Sequence, residues 1–166
     1  MSLDNIELTP FLIQELFKHS LVEIAAKKKE EKVLPAASFT FLGNNRRKVA
    51  IVVSNEDNVY LPDNELNFLL GILSACKLTM EDVAIININK SKAVTYKTIE
   101  QELKAENIIL FGVTAAQIAL PLEFPSYQIQ QYNKQTYIAA GVLSDIEKNK
   151  ADKTKLWNCL KQIFAA

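Results

Sequence analysis

The chain predicts an α/β fold, a three-layer α/β/α sandwich around a mostly parallel four-stranded sheet. Three observations predict it. Ile108–Phe111 is a run of large apolar residues without polar alternation, which suits a strand buried on both faces. Gly112 then permits a sharp turn, and Thr114-Ala115-Ala116 supplies a capping hydroxyl and small residues for a helix packed close to a sheet. Two further apolar runs, Val49–Val53 and Val83–Ile88, alternate with helical patterns, as parallel crossovers require.

Size and charge narrow the class. A chain of 166 residues can bury one real core. With 19 basic and 19 acidic residues it has no net charge, which argues against broad nonspecific nucleic-acid binding. Cys76 and Cys159 form neither a disulfide framework nor a thiolate metal site, and both fall in apolar helical patterns as buried reduced thiols. Residues 1–30 lack the apolar core of a signal peptide, and no apolar run reaches the length of a membrane span. A cytoplasmic protein without a membrane partner is expected.

In chain order, Thr9-Pro10 opens a helix to about Lys28, with Thr as cap and Pro in the first turn. Its apolar residues at 11, 12, 13, 16 and 17 span more than one face at a hundred degrees per residue. The excess needs cover from the domain on two sides or from a second chain. The mixed run Lys27–Lys32 ends it, so residues 1–32 read as an N-terminal helical segment and 33–166 as one α/β domain. Ser38–Leu42 suggests a short edge strand, and Gly43-Asn44-Asn45 a turn. Arg46-Arg47-Lys48 reads as an exposed strand edge that discourages aggregation, ahead of a phosphate contact.

Val49–Val53 is the first buried strand, and Ser54–Leu61 a polar loop. Asp63 is placed to cap a helix carrying Leu66, Leu69, Leu70 and Leu73. Thr79–Asp82 is a capped turn before Val83–Ile88. Lys97–Ala105 reads as an outer crossover helix. Ser126–Gln131 and Thr136–Ala140 alternate and read as a hairpin whose second arm joins the sheet. Ala151–Phe164 is a final amphipathic helix with Leu156, Trp157, Leu160, Ile163 and Phe164 on one face.

Catalytic signals are thin. A phosphate-binding loop after the first strand needs glycines, and Ser54–Val59 has none, so no nucleotide cofactor is expected. The one histidine, His19, lies in the first helix and reads as solvated; no metal site is expected. Glu56 and Asp57 are the only acid pair at a strand's carboxyl end, a weak signal for acid–base chemistry.

Three stretches in order resemble the uracil-DNA glycosylase superfamily. They are Leu66–Asn87, then Leu110-Phe111-Gly112-Val113-Thr114-Ala115-Ala116-Gln117, then the hairpin with a final helix holding Leu156-Trp157. The family's Gly-rich acid loop falls at Ser54–Asn58 and its His-Pro-Ser segment at Ala140-Gly141-Val142. Neither motif is present, and neither are the cysteines that hold an iron–sulfur cluster in some members. The resemblance implies the fold without its chemistry, so no catalytic residue is assigned.

A noncatalytic family with that fold fits better. Leu143-Ser144-Asp145-Ile146, Asn149, Lys153 and Leu156-Trp157 are similar, at the same spacings, to the Leu-Thr-Asp-Leu, Asn, Arg and Leu-Trp of psi subunits of the bacterial DNA polymerase III clamp loader. Asp145 also reads as a turn or cap and Trp157 as core. The resemblance implies an adaptor whose N-terminal segment docks on the clamp-loader ATPase subunits and whose domain binds a chi subunit. Ile6–Phe17 lies in the corresponding place, so Phe11, Leu12, Leu16 and Phe17 are the expected interface, with self-association as a substitute. No sequence-specific nucleic-acid contact is implied. The alternative is an inactive or divergent glycosylase-like protein that keeps nucleic-acid or nucleotide binding.

Overall fold

The computed structural model describes residues 39–165. In chain order these form β1 (Val49–Val53), α1 (Asp63–Ala75), β2 (Val83–Asn87), α2 (Tyr96–Leu103) and β3 (Asn107–Phe111). A 3-10 turn (Ala115–Ile118), β4 (Ile129–Tyr132), β5 (Gln135–Ala140), α3 (Leu143–Lys148) and α4 (Lys150–Phe164) complete them. One sheet holds all five strands in the order β2-β1-β3-β5-β4. β1, β2, β3 and β5 run parallel, and β4 pairs antiparallel with β5. The expected four-stranded sheet is thus corrected to five, because both arms of the hairpin join it. The four parallel strands stand in the order β2-β1-β3-β5.

The unbroken apolar strands reflect cover on both faces. Val49, Ile51 and Val53 point to one core with Val83, Ile85, Ile109 and Phe111. Leu69 and Leu73 of α1, Leu143 and Ile146 of α3, and Leu156, Cys159 and Leu160 of α4 close over that face. Ala50 and Val52 point the other way, with Ala84, Ile86, Ile108, Leu110 and Tyr137, onto Ile99 and Leu103 of α2. Each such aliphatic side chain contributes about 1.5–3 kcal/mol by leaving water.

Local chemistry sets the ends. Thr95 and Thr98 form a reciprocal capping box on α2. Asn149 caps α4 by accepting the Ala151 amide at 3.0 Å, so that helix begins one residue earlier than expected. Asp63 does not cap α1: Pro62 occupies the cap position and Asp63 lies in the first turn, where its charge suits the helix N-terminus. Asn133 and Lys134 both take positive φ, 50° and 62°, as a tight two-residue hairpin turn demands.

Two expected elements differ. The helix after Thr114 is a single 3-10 turn ending at Ala119, which is left-handed at φ 55°. Pro121 accounts for this, since the residue before a proline is pushed out of helical geometry and the chain must leave extended. The edge strand expected at Ser38–Leu42 reduces, within the described residues, to one antiparallel bridge from Leu42 to Ile85. Beyond it Asn45, Arg46 and Arg47 donate backbone N–H to Val83, Glu81 and Asp82 at 3.0–3.1 Å, so residues 42–47 cover the outer edge of β2. Gly43 permits this: at φ +108° it lies so close that a Cβ would stand 2.1 Å from the Val83 carbonyl oxygen.

Candidate functional site

The carboxyl ends of the parallel strands are where this kind of sheet places ligands. At β1 and β2 that end is sealed by Asn87, the last residue of β2, which is 1% exposed. Its Nδ2 donates to the carbonyls of Asn55, Asn58 and Val59 at 2.7, 3.0 and 3.2 Å. Its Oδ1 accepts the amides of Asn55 and Asn89, both at 3.1 Å. Asn55 then turns its own side chain onto the amides of Asp57 and Asn58 at 3.0 and 2.8 Å. The loop after β1 is thereby stitched to β2, and Glu56 and Asp57 are held outward, exposed to solvent. The acid pair picked out in the sequence sits at the predicted strand end but faces away from the sheet.

Between the carboxyl ends of β3 and β5 lies a cleft of about 570 Å3. Its walls are mostly aliphatic, from Gly112–Ala116 and Ala139–Val142, with Phe124 on one side and Glu123, Ser126 and Asp145 as polar groups. Thr114 donates its amide to Gln117 Oε1 at 2.8 Å and caps the turn that forms one wall. Tyr127 borders the region, with its hydroxyl accepting the Gly141 amide at 3.3 Å; burial pushes that phenol above its usual range. The cleft combines a flat aromatic ring with two carboxylates, which disfavours phosphate.

The other sequence-picked groups have structural roles. Cys76 and Cys159 are buried free thiols, and burial raises both above the ordinary thiol range. Cys159 donates its S–H to the Tyr127 carbonyl at 3.1 Å. Arg46 pairs with Glu81 and Lys48 with Glu106, all on exposed surface, as expected of an edge-protecting triplet. Trp157 is half-buried against the core, and Asp145 lies in the first turn of α3. Phe11, Leu12, Leu16, Phe17 and His19 lie outside the described residues. Among the described residues no group of three or more His, Cys, Asp or Glu could hold a metal ion, and no helix is long and apolar enough to cross a membrane.

Asn87 escaped the sequence reading, although one polar residue closing the apolar run VAIIN was a usable signal. Phe124 and Glu123 had none, because their approach to β5 depends on the path taken after the 3-10 turn. No family model matches the chain, and no curated protein matches its sequence.

Proposed function

We propose that the chain is a noncatalytic adaptor resembling the psi subunit of the bacterial clamp loader, built on a three-layer α/β/α sandwich of the uracil-DNA glycosylase kind. The observation that carries this reading is the Asn87 seal. At the carboxyl ends of β1 and β2, where the resembled enzymes keep a glycine loop and a water-positioning acid, the Asn87 side chain bonds to the backbone of Asn55 and Asn58, while Glu56 and Asp57 are exposed to solvent. The strand order β2-β1-β3-β5 and the succession of hairpin, Leu143–Lys148 and the Leu156-Trp157 helix support the same resemblance. In this reading Phe11, Leu12, Leu16 and Phe17 dock on clamp-loader ATPase subunits, the domain receives a chi-like subunit, and the protein works in the cytoplasm.

Deleting residues 1–30 tests it, with thermal melting and capture of purified clamp-loader ATPase subunits measured together. Lost capture with a nearly unchanged melt is the expected result. A collapsed melt assigns the first helix to the core and removes the interface. A uracil-excision assay is the second arm: no release above background is expected from single- or double-stranded DNA. Excision that disappears with Glu56→Gln or Asp57→Asn would overturn the reading.

The cleft between β3 and β5 favours a second reading, a glycosylase-like protein that still holds a nucleobase against Phe124. Its Glu123 and Asp145 argue for a neutral base or nucleoside over a nucleotide. Tighter binding of a nucleoside than of its monophosphate, lost on Phe124→Ala, would favour that reading.

A further inference from the structure

Helices α1 and α4 leave between them an apolar groove of about 210 Å3, lined by Phe68, Gly71, Ile72, Leu156, Trp157 and Leu160. Leu156 and Leu160 form a buried floor, while Gly71 is exposed at the rim. Among the described residues a Cβ built on Gly71 would meet nothing within 4 Å, so none of them fills the space over the middle of α1. Two exposed lysines lie over the aromatic walls. Lys153 Nζ is 5.5 Å from the centre of the Phe68 ring, and Lys161 Nζ is 5.3 Å from that of Trp157. Among the described residues lining the groove the one charged side chain is Lys153, and none is a carboxylate.

We propose that this groove docks an amphipathic helix of a partner protein, one large apolar side chain seated over Gly71 and a carboxylate on either side meeting Lys153 and Lys161. The two lysines are eight residues apart on α4, which sets them about 12 Å apart along its axis. A partner helix matches that span with an acid at position i, an aromatic or leucine at i+4 and a second acid at i+7 or i+8, all on one face. The volume suits one or two large side chains and not an extended hydrophobic sheet. Charge selects against a second copy on the same face, because a symmetric pairing would bring two pairs of lysines together. In the free protein the ammonium groups rest on the rings; in the complex they turn to the carboxylates while the apolar side chain takes their place. This inference rests on the groove alone and does not depend on the adaptor reading.

Trp157, the chain's one tryptophan, lines the groove and reports on its occupation. The probe is a stapled helical peptide with a central Phe and a Glu four residues to each side, titrated into the full chain beside a twin carrying Lys at both Glu positions. The acidic peptide should shift Trp157 emission and bind at least about tenfold tighter than its twin. The double variant Lys153→Glu, Lys161→Glu should reverse that preference. Gly71→Leu, which fills the groove from a helical position, should abolish binding without lowering the melting temperature. Equal binding of the twins, no shift with either peptide, or binding undiminished by Gly71→Leu would each overturn the proposal. A dimer that the acidic peptide disperses in sedimentation would assign the face to a second copy and overturn it as well.

Discussion

Asn87 and Asn55 hold one another in both directions: Asn87 Oδ1 accepts the Asn55 amide at 3.1 Å while Asn87 Nδ2 donates to the Asn55 carbonyl at 2.7 Å. A side chain here makes the pair of bonds that another strand residue would make, and so extends the β1–β2 pairing into the loop. Asn87→Leu keeps the volume roughly and strips these bonds from a buried site. A loss of about 2–3 kcal/mol is expected in urea unfolding, with faster amide exchange at Asn55 and Asn58. Unchanged exchange there would show that the loop is held by something else.

Asn87→Asp gives the same site a pH dependence. A carboxylate facing the carbonyls of Asn55, Asn58 and Val59 is disfavoured, so the folded pKa of the introduced group lies above its unfolded value. Its stability contribution is then present at low pH and lost as pH rises through the folded pKa. The variant should approach the parent's melting temperature toward acid pH and fall behind it near neutrality. A constant difference across that range would contradict the geometry.

Tyr137 is wholly buried beneath α2 and donates to Gln135 Oε1 at 2.7 Å, and Gln135 Nε2 donates to the Ala105 carbonyl at 2.7 Å. Burial, aided by the Glu100 carboxylate, holds this phenol far above its usual range. The folded pKa is raised, so its contribution is fully present below the unfolded value and is lost as pH climbs past it. In a spectrophotometric titration one tyrosine should ionise only with alkaline unfolding. Tyr137→Phe should remove that step and cost about 1 kcal/mol, since Gln135 loses a partner.

Two glycines should respond in opposite directions. Gly71→Ala adds a methyl that meets none of the described residues and improves helix propensity within α1, so it should stabilise by about 0.5–1 kcal/mol. Gly43→Ala drives a methyl into the Val83 carbonyl at positive φ and should cost at least about 2 kcal/mol. Parallel denaturant titrations of the two variants check both signs.

Cys76 and Cys159 should react with a disulfide reagent only when the chain opens. Both thiols are buried, and burial disfavours the thiolate that attacks. Labelling at mildly alkaline pH should follow the unfolding rate and accelerate in urea. Rapid labelling of either thiol in native buffer would contradict the packing of α1 and α4.

The amino-acid sequence by itself determined the parallel strands. Val49–Val53, Val83–Asn87 and Ile108–Phe111 are apolar at every position or nearly so, and only burial on both faces accommodates such runs. It also determined the amphipathic final helix, because Leu156, Cys159 and Leu160 recur at helical spacing. The 3-10 turn was hidden because Thr114-Ala115-Ala116 is good helix chemistry, and Pro121 overrides it only where the chain must cross toward β4. Whether Ile129–Tyr132 joined the sheet was decided by its pairing to Ile138 through Gln135, a contact that period-two patterning cannot assign. The seal, the cleft and the groove belong to tertiary structure alone. Asn87 meets Asn55 across 32 residues of sequence, and Phe68 meets Leu156 through two helices packed on the same sheet face. Hydrophobic period reports which face of an element is buried; the partner waiting there is fixed by how the elements stack.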